Sequence, residues 1–145
     1  MFCPFCSYED TKVLESWIVE DSVRRRRECL KCANRFTTYE KAIISLKVQK
    51  KDGREEEFDV QKIARSISKA LNKPEEELVL SLSKSIEKKI VSKRLNPVKS
   101  VFIGRLVMQE LKRVDKMAYL RYATIYKKID DPKGLEKELQ AIAER

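Results

Sequence analysis

Apolar and polar residues alternate in three short stretches near the start of the chain, KVLESWIV (12–19), VRRRREC (23–29) and RFTTYEK (35–41), and a period of two predicts strands. LKVQKKDGREEEF (46–58) alternates as well, around Asp52-Gly53, a pair that favours a two-residue type I′ turn and so predicts a hairpin. Beyond residue 58 the period becomes helical. Val60, Ile63, Ile67 and Leu71 share one face of DVQKIARSISKAL, with Ala64 and Ala70 beside them and Asp59 placed as N-cap. Val79, Leu82, Ile86 and Ile90 mark a second helix, opening with Pro74 in its first turn and running to about Ser92. After a break at Asn96-Pro97, a third helix is predicted over 98–114 and a fourth over MAYLRYATIYKKI (117–129). A last helix restarts at Asp131-Pro132, with Leu135, Leu139 and Ile142 on its apolar side. The fold class is therefore α+β, in two parts: small β hairpins over residues 1–45, then a mostly helical domain over 46–145 that begins with its own hairpin.

The cysteines change the picture of the first part. With 145 residues and 42% apolar content the chain can build only a modest core, and the first forty or so residues can build very little of one. No run of eighteen apolar residues is present, and the start MFCPFCSYED lacks a basic segment followed by an apolar one. A cytoplasmic location with no membrane partner is expected, and in that reducing compartment four cysteines point to metal or redox chemistry rather than structural disulfides. Cys3 and Cys6 form one C-x-x-C, Cys29 and Cys32 another, with 22 residues between the pairs. Two such turns close a tetrahedral four-sulfur shell with no position left for a substrate, the pattern of a structural zinc ribbon. Metal binding of roughly 10 to 16 kcal/mol, the range of zinc-finger peptides, supplies what so small a core lacks. Redox-active C-x-x-C pairs and an iron-sulfur cluster are the alternatives, although nothing like a thioredoxin βαβ pattern surrounds either pair.

Charge adds a partner. The net charge is +9, yet residues 1–45 carry eight Lys/Arg against seven Asp/Glu. Within that nearly neutral stretch Arg24, Arg25, Arg26, Arg27, Lys31 and Arg35 face only Glu28. On a strand, Arg24 and Arg26 point to one side and Arg25 and Arg27 to the other. With Trp17 and Phe36 covering part of the hairpin, free guanidinium groups suit phosphates and guanine edges, so nucleic acid is the expected partner; a solvated surface run is the plainer alternative.

For the second part, composition excludes more than it identifies. Glycine occurs only at 53, 104 and 134, so neither a phosphate loop nor a dinucleotide fingerprint exists. There is no histidine, and no cysteine is left once a metal is bound, which removes the Ser-His and Cys-His nucleophile arrangements; no enzyme is expected. Lys50 and Lys51 precede the hairpin turn and Lys62 lies three residues past a helix cap, positions that bracket an anion or simply face water.

In order along the chain, CPFC, RRRREC-x-x-C, RFTTYE, KKDGREEEFDVQKI and AYLRYATIY resemble the NrdR family, bacterial transcriptional regulators of ribonucleotide reductase genes. The resemblance implies a zinc ribbon joined to an ATP cone, a domain that senses adenine nucleotides and governs repression through operator DNA. It implies Cys3, Cys6, Cys29 and Cys32 as zinc ligands, and it aligns Val48, Lys50, Lys51, Glu56 and Lys62 with the positions such cones use around ATP or dATP. Tyr126 is a further candidate, against the base or an adjacent subunit. Phe2 and Ala33 stand where the family often has His and Gly, and Lys51 replaces the commoner Arg, keeping the charge but losing the planar fork. The expected partners are double-stranded operator DNA, adenine nucleotides and further copies of the chain, with dATP favouring the DNA-competent homo-oligomer and ATP alone not. The expected location is the bacterial cytoplasm, on the nucleoid when DNA is bound. A zinc-ribbon module for RNA or transcription elongation, insensitive to nucleotide, is the rival function.

Overall fold

Three arginine-rich or aromatic strands with no room for a core between them set the form of the first unit. A computed structural model of the chain describes residues 1–143, and the chain divides into two units, Met1–Ile44 and Ser45–Arg145. In the first, β1 (Thr11–Val19), β2 (Ser22–Cys29) and β3 (Arg35–Lys41) form an antiparallel sheet in that order, close to the spans predicted. Between β1 and β2 the chain turns through Glu20 at φ +54°, and the Ser22 hydroxyl donates to the Val19 carbonyl at 3.0 Å. Pairing to β2 is interrupted between Val13 and Glu15, where Leu14 is the extra residue of a bulge. The unit has almost no apolar interior. Its fully buried side chains are Cys3 and Cys29, each 2% exposed, whereas Val13, Leu14, Trp17 and Ile18 all reach solvent.

The second unit is helical, around a small sheet. β4 (Lys47–Gln49) pairs antiparallel with β5 (Glu55–Glu57) and parallel with β6 (Val98–Lys99), giving the order β5-β4-β6. Helices α1 (Val60–Ala70), α2 (Glu76–Ser92), α3 (Ser100–Val114) and α4 (Lys116–Tyr126) surround a core built on Ile67, Ile86, Ile90, Val98, Leu111 and Ala123. α5 (Pro132–Ala143) lies against α4. The α+β architecture predicted from the sequence is the one observed.

Several local expectations are corrected. The hairpin does not turn on a two-residue type I′ loop, which needs positive φ at both central residues; only Gly53 has it, at +87°. Gly53 N–H donates to the Lys50 carbonyl and Lys50 N–H to the Arg54 carbonyl, so Lys51, Asp52 and Gly53 form a three-residue loop with glycine at the left-handed position. Val98 does not open a helix: it is fully buried beside Val48, and the Asn96 side chain accepts from Lys47 N–H at 3.0 Å, fastening this segment to β4. Pro74 lies before the second helix, whose N-cap is Glu75. Asp115 caps α4 through Met117 and Ala118 N–H, and that helix ends at Tyr126 rather than 129. The apolar stripe expected on α5 is only partly covered: Ile142 is buried, but Leu135 and Leu139 remain 38% and 45% exposed.

Candidate functional site

The two cysteine turns are built alike. Ser7 N–H donates to the Cys3 carbonyl and Ala33 N–H to the Cys29 carbonyl, and both Ser7 and Ala33 adopt φ near +60°. Each first cysteine receives amides from the turn that follows it: Phe5 N–H points at Cys3 Sγ, and Lys31 and Cys32 N–H at Cys29 Sγ, at 3.3 to 3.4 Å. Amides aimed at sulfur favour thiolate. All four sulfurs lie within 4.8 Å of one another. Cys3 and Cys32 are 3.7 Å apart and Cys6 and Cys29 3.6 Å, close to the edge of about 3.8 Å that a tetrahedron with Zn–S bonds of about 2.3 Å requires. Both hydrogen-bonded sulfur pairs run between the two turns rather than within one C-x-x-C, which is the arrangement of a shared metal and not of two redox dithiols.

Their surroundings hold Cys6, Cys29 and Cys32 differently. A backbone hydrogen bond at Asn34 outweighs burial and brings Cys32 down to about 6. Cys6 feels a lowering backbone bond at Tyr8, yet burial and hydrogen bonds to the neighbouring thiols push it up to about 11. Cys29 is lowered, its amide donors overcoming burial. A divalent cation removes that disparity, because thiols coordinated to zinc are deprotonated outright. The donor set therefore fits a structural zinc.

β2 is the central strand of the ribbon, so its arginines stand on two faces. On one, Arg24 lies between Trp17 and Tyr39, its guanidinium carbon 5.0 and 6.0 Å from the ring centres, and Arg26 is exposed. On the other, Arg25 donates to Ser16 Oγ and Glu40, and Arg27 to Thr38 and Thr11 hydroxyls. Arg35 and Lys12 hold Glu28 at 3.0 and 3.2 Å, keeping that carboxyl below the usual carboxylate range, Arg35 first. Lys31 Nζ sits 5.7 Å from the Tyr8 ring centre. Phe36 is half-buried beside Arg27.

In the second unit, Val48, Lys50, Glu56, Lys62 and Tyr126 line one cavity of about 190 Å³ between the hairpin, α1, α3 and α4. Glu56 stands between Lys50 and Lys62, at 3.1 and 3.0 Å, and its carboxyl is held low, by Lys62 first and then Lys50. Lys51, the remaining residue predicted here, does not line the cavity; its Nζ lies 5.3 Å from the Tyr126 ring centre, where the hairpin tip meets α4. Asp59 caps α1 by accepting from Gln61 N–H, so Lys62 does lie in the first turn of that helix.

Sequence reasoning missed the cavity's other wall. Tyr122 stacks on Tyr126 at 5.6 Å, an i,i+4 pair that the motif AYLRYATIY does contain. Ser100, Ile103 and Gly104 of α3 carry no local signal of their own. Gly104 is nevertheless decisive: a Cβ there would fall 2.2 Å from Tyr126 Cζ, so only glycine lets that ring lie across α3, where its hydroxyl donates to the Val101 carbonyl at 3.1 Å. Tyr122 and Tyr126 also border a second cavity of about 300 Å³ with Lys69 and Arg121.

Comparison with known proteins follows the same division. Residues 1–40 match the family model described as "Transcriptional repressor NrdR-like, N-terminal domain", and residues 46–132 match the ATP cone domain. The chain is similar to proteins named "Transcriptional repressor NrdR" from Caldanaerobacter subterraneus subsp. tengcongensis, 42% identical over 98% of this chain and 93% of that protein, and from Clostridium tetani, 39% identical over 100% and 99%. Another so named, from Verminephrobacter eiseniae, is 43% identical over 97% of this chain and 99% of its own length. These relatives are named for regulation, not for catalysis.

Proposed function

The chain belongs to the NrdR family of transcriptional repressors, with a zinc ribbon and an ATP cone, and from that premise we propose that it represses ribonucleotide reductase genes under the control of adenine nucleotides. Residues 1–45 form the DNA-binding part, with one zinc ion on Cys3, Cys6, Cys29 and Cys32. Residues 46–145 bind ATP or dATP and govern assembly of the chain into homo-oligomers. The observation that carries this reading is the convergence of Val48, Lys50, Glu56, Lys62 and Tyr126 on one cavity, with Lys51 at its rim. Lysines suit the polyphosphate, Glu56 orders them, and Val48 and the tyrosine pair offer apolar surface to the adenosine.

At about 190 Å³ the cavity is smaller than the usual 300 to 1,000 Å³ of ligand sites, so its walls must give way to admit a whole nucleotide. Lys51 meets the Tyr126 ring at the hairpin tip, a modest restraint. A nucleotide changes DNA affinity only if it binds one assembly better than another, so ATP and dATP must stabilise different arrangements of the cones. One ribbon grips few phosphates, and an assembly presenting several gains affinity by avidity. DNA-bound protein then sits on the bacterial nucleoid.

The test is gel filtration of the zinc-loaded chain with each nucleotide, together with nucleotide affinity of Lys62→Ala. Distinct elution with ATP and dATP, and a loss of affinity of about tenfold or more in the variant, are expected, since a charge-assisted contact contributes roughly 1.5 to 3 kcal/mol. Identical elution with both nucleotides, or wild-type affinity in the variant, contradicts the reading. A nucleotide-indifferent RNA-binding ribbon would leave the convergence of lysines without a role.

A further inference from the structure

We propose that the two faces of the ribbon sheet divide their work, and that the face bearing Arg24 and Arg26 with Trp17 and Tyr39 meets the DNA duplex, while Arg25 and Arg27 on the opposite face brace the sheet. This rests on reading the ribbon as the DNA-binding part. The run of four arginines looks uniform in sequence; the structure makes it alternate.

Cross-strand register fixes the two sets. Arg24 is paired with Trp17 and Tyr39, and Arg26 with Glu15 and Thr37, so these side chains share one face. Arg25 is paired with Ser16 and Thr38, and Arg27 with Val13 and Phe36, on the other. Donors are spent differently on the two sides. Arg25 gives one guanidinium nitrogen to Ser16 at 3.1 Å and another to Glu40 at 3.3 Å. Arg27 gives Nε to Thr38 at 3.2 Å and a terminal nitrogen to Thr11 at 3.3 Å, tying all three strands together just above the cysteine turns. A guanidinium used this way spends two of its five N–H groups and is held against the neighbouring strands, so it must break these bonds to turn towards a phosphate.

The other pair is uncommitted. Arg26 is the exposed member of the run and has no hydrogen bond, ion pair or ring contact among the described residues. Arg24 makes no hydrogen bond either: its Nε is buried without a partner, and its guanidinium lies between two aromatic rings. Two rings flanking the guanidinium restrain it without using its N–H groups, so little side-chain freedom is lost on forming a forked contact to phosphate or guanine. Thr37, with Tyr39 and Trp17 at the sides, offers further hydroxyl and ring N–H donors to the backbone. The open face thus carries two arginines that make no hydrogen bond or ion pair among the described residues, beside Glu15 and a Glu28 already held by Lys12 and Arg35. Both arginines of the opposite face are tied to neighbouring strands, Arg25 also to the acid Glu40.

The experiment titrates duplex operator DNA with the full zinc-loaded chain in its DNA-competent nucleotide state, by fluorescence anisotropy at several salt concentrations, alongside thermal unfolding. Arg24→Ala and Arg26→Ala are each expected to weaken binding about tenfold, with wild-type unfolding temperatures, and a phosphate contact lowers the salt slope by about one. Arg25→Lys and Arg27→Lys, which keep charge but lose the fork, are expected to lower the unfolding temperature and to change affinity by less than about twofold. Arg24→Lys cannot rebuild the stacked fork, so it binds as weakly as Arg24→Ala. Loss of affinity confined to the Arg25 and Arg27 variants, in folded protein, overturns the assignment of faces and leaves the DNA-binding reading standing. Failure of the wild-type chain to prefer operator duplex over unrelated or single-stranded DNA overturns both.

Discussion

Ala33 shows what a single residue costs when the fold needs a special backbone. Both cysteine turns end on a left-handed residue, Ser7 in one and Ala33 in the other, and neither is glycine. A left-handed L-residue costs roughly 1 to 2 kcal/mol, partly offset by the lower unfolded-state entropy of alanine relative to glycine. Ala33→Gly is therefore expected to stabilise the zinc-loaded chain by about 1 kcal/mol in denaturant unfolding, and an unchanged or lowered midpoint refutes that strain. Gly104 is the converse case, a glycine required by a neighbour rather than by its own φ. Gly104→Ala pushes the Tyr126 ring off α3, so nucleotide affinity is expected to fall about tenfold, as small-to-large changes in packed sites predict. Retained affinity in this variant removes Tyr126 from the site. The cysteine turns were legible in the sequence because their spacing is itself the chemistry, whereas the lysines drew a nucleotide reading only from the family resemblance, since their spacing suits water equally well. Gly104 and Tyr122 were not, because their importance arises only where α3 and α4 meet under the hairpin.

Among the elements, the last helix is the one held by polar contacts as much as by apolar burial. Glu138 is 7% exposed; it accepts from the Tyr119 hydroxyl at 2.8 Å and pairs with Lys127. Burial pushes its carboxyl up, but Lys127 and then Tyr119 pull it down, and the net position lies below the ordinary carboxylate range. Burial first, and the bond to Glu138 second, push Tyr119 up to about 12, so it stays a protonated donor throughout. A carboxyl lowered on folding stabilises the fold above its unfolded pKa, and that contribution is lost as pH falls through the folded value. Glu138→Gln is expected to be less stable at neutral pH and to show a shallower acid decline, read by unfolding at a series of pH values; an acid limb identical to wild type contradicts this. Helices α1 and α2 were readable because each carries a long apolar stripe that the core covers. β6 was not: two residues are too few to show a period, and only the parallel partner Val48 makes Val98 a strand. The α5 stripe misled because Glu138, a charged residue, supplies much of the anchoring that Leu135 and Leu139 were expected to give.

For the whole molecule, the two units differ in what keeps them folded. The ribbon buries two thiols and no large apolar side chain, whereas the cone has a continuous core. Chelation at neutral pH is expected to unfold residues 1–45 while the cone's amide resonances stay dispersed, and re-addition of zinc to restore the ribbon, since its metal carries the folding free energy. A ribbon that stays ordered after the metal is removed would show that β-sheet pairing alone suffices. Operator binding joins the two units in one quantity: fluorescence anisotropy of duplex operator titrated with the zinc-loaded chain, in dATP and in ATP. The account predicts affinity at least about tenfold higher in dATP, a coupling of about 1.4 kcal/mol between nucleotide and DNA; equal affinity in the two nucleotides would contradict it.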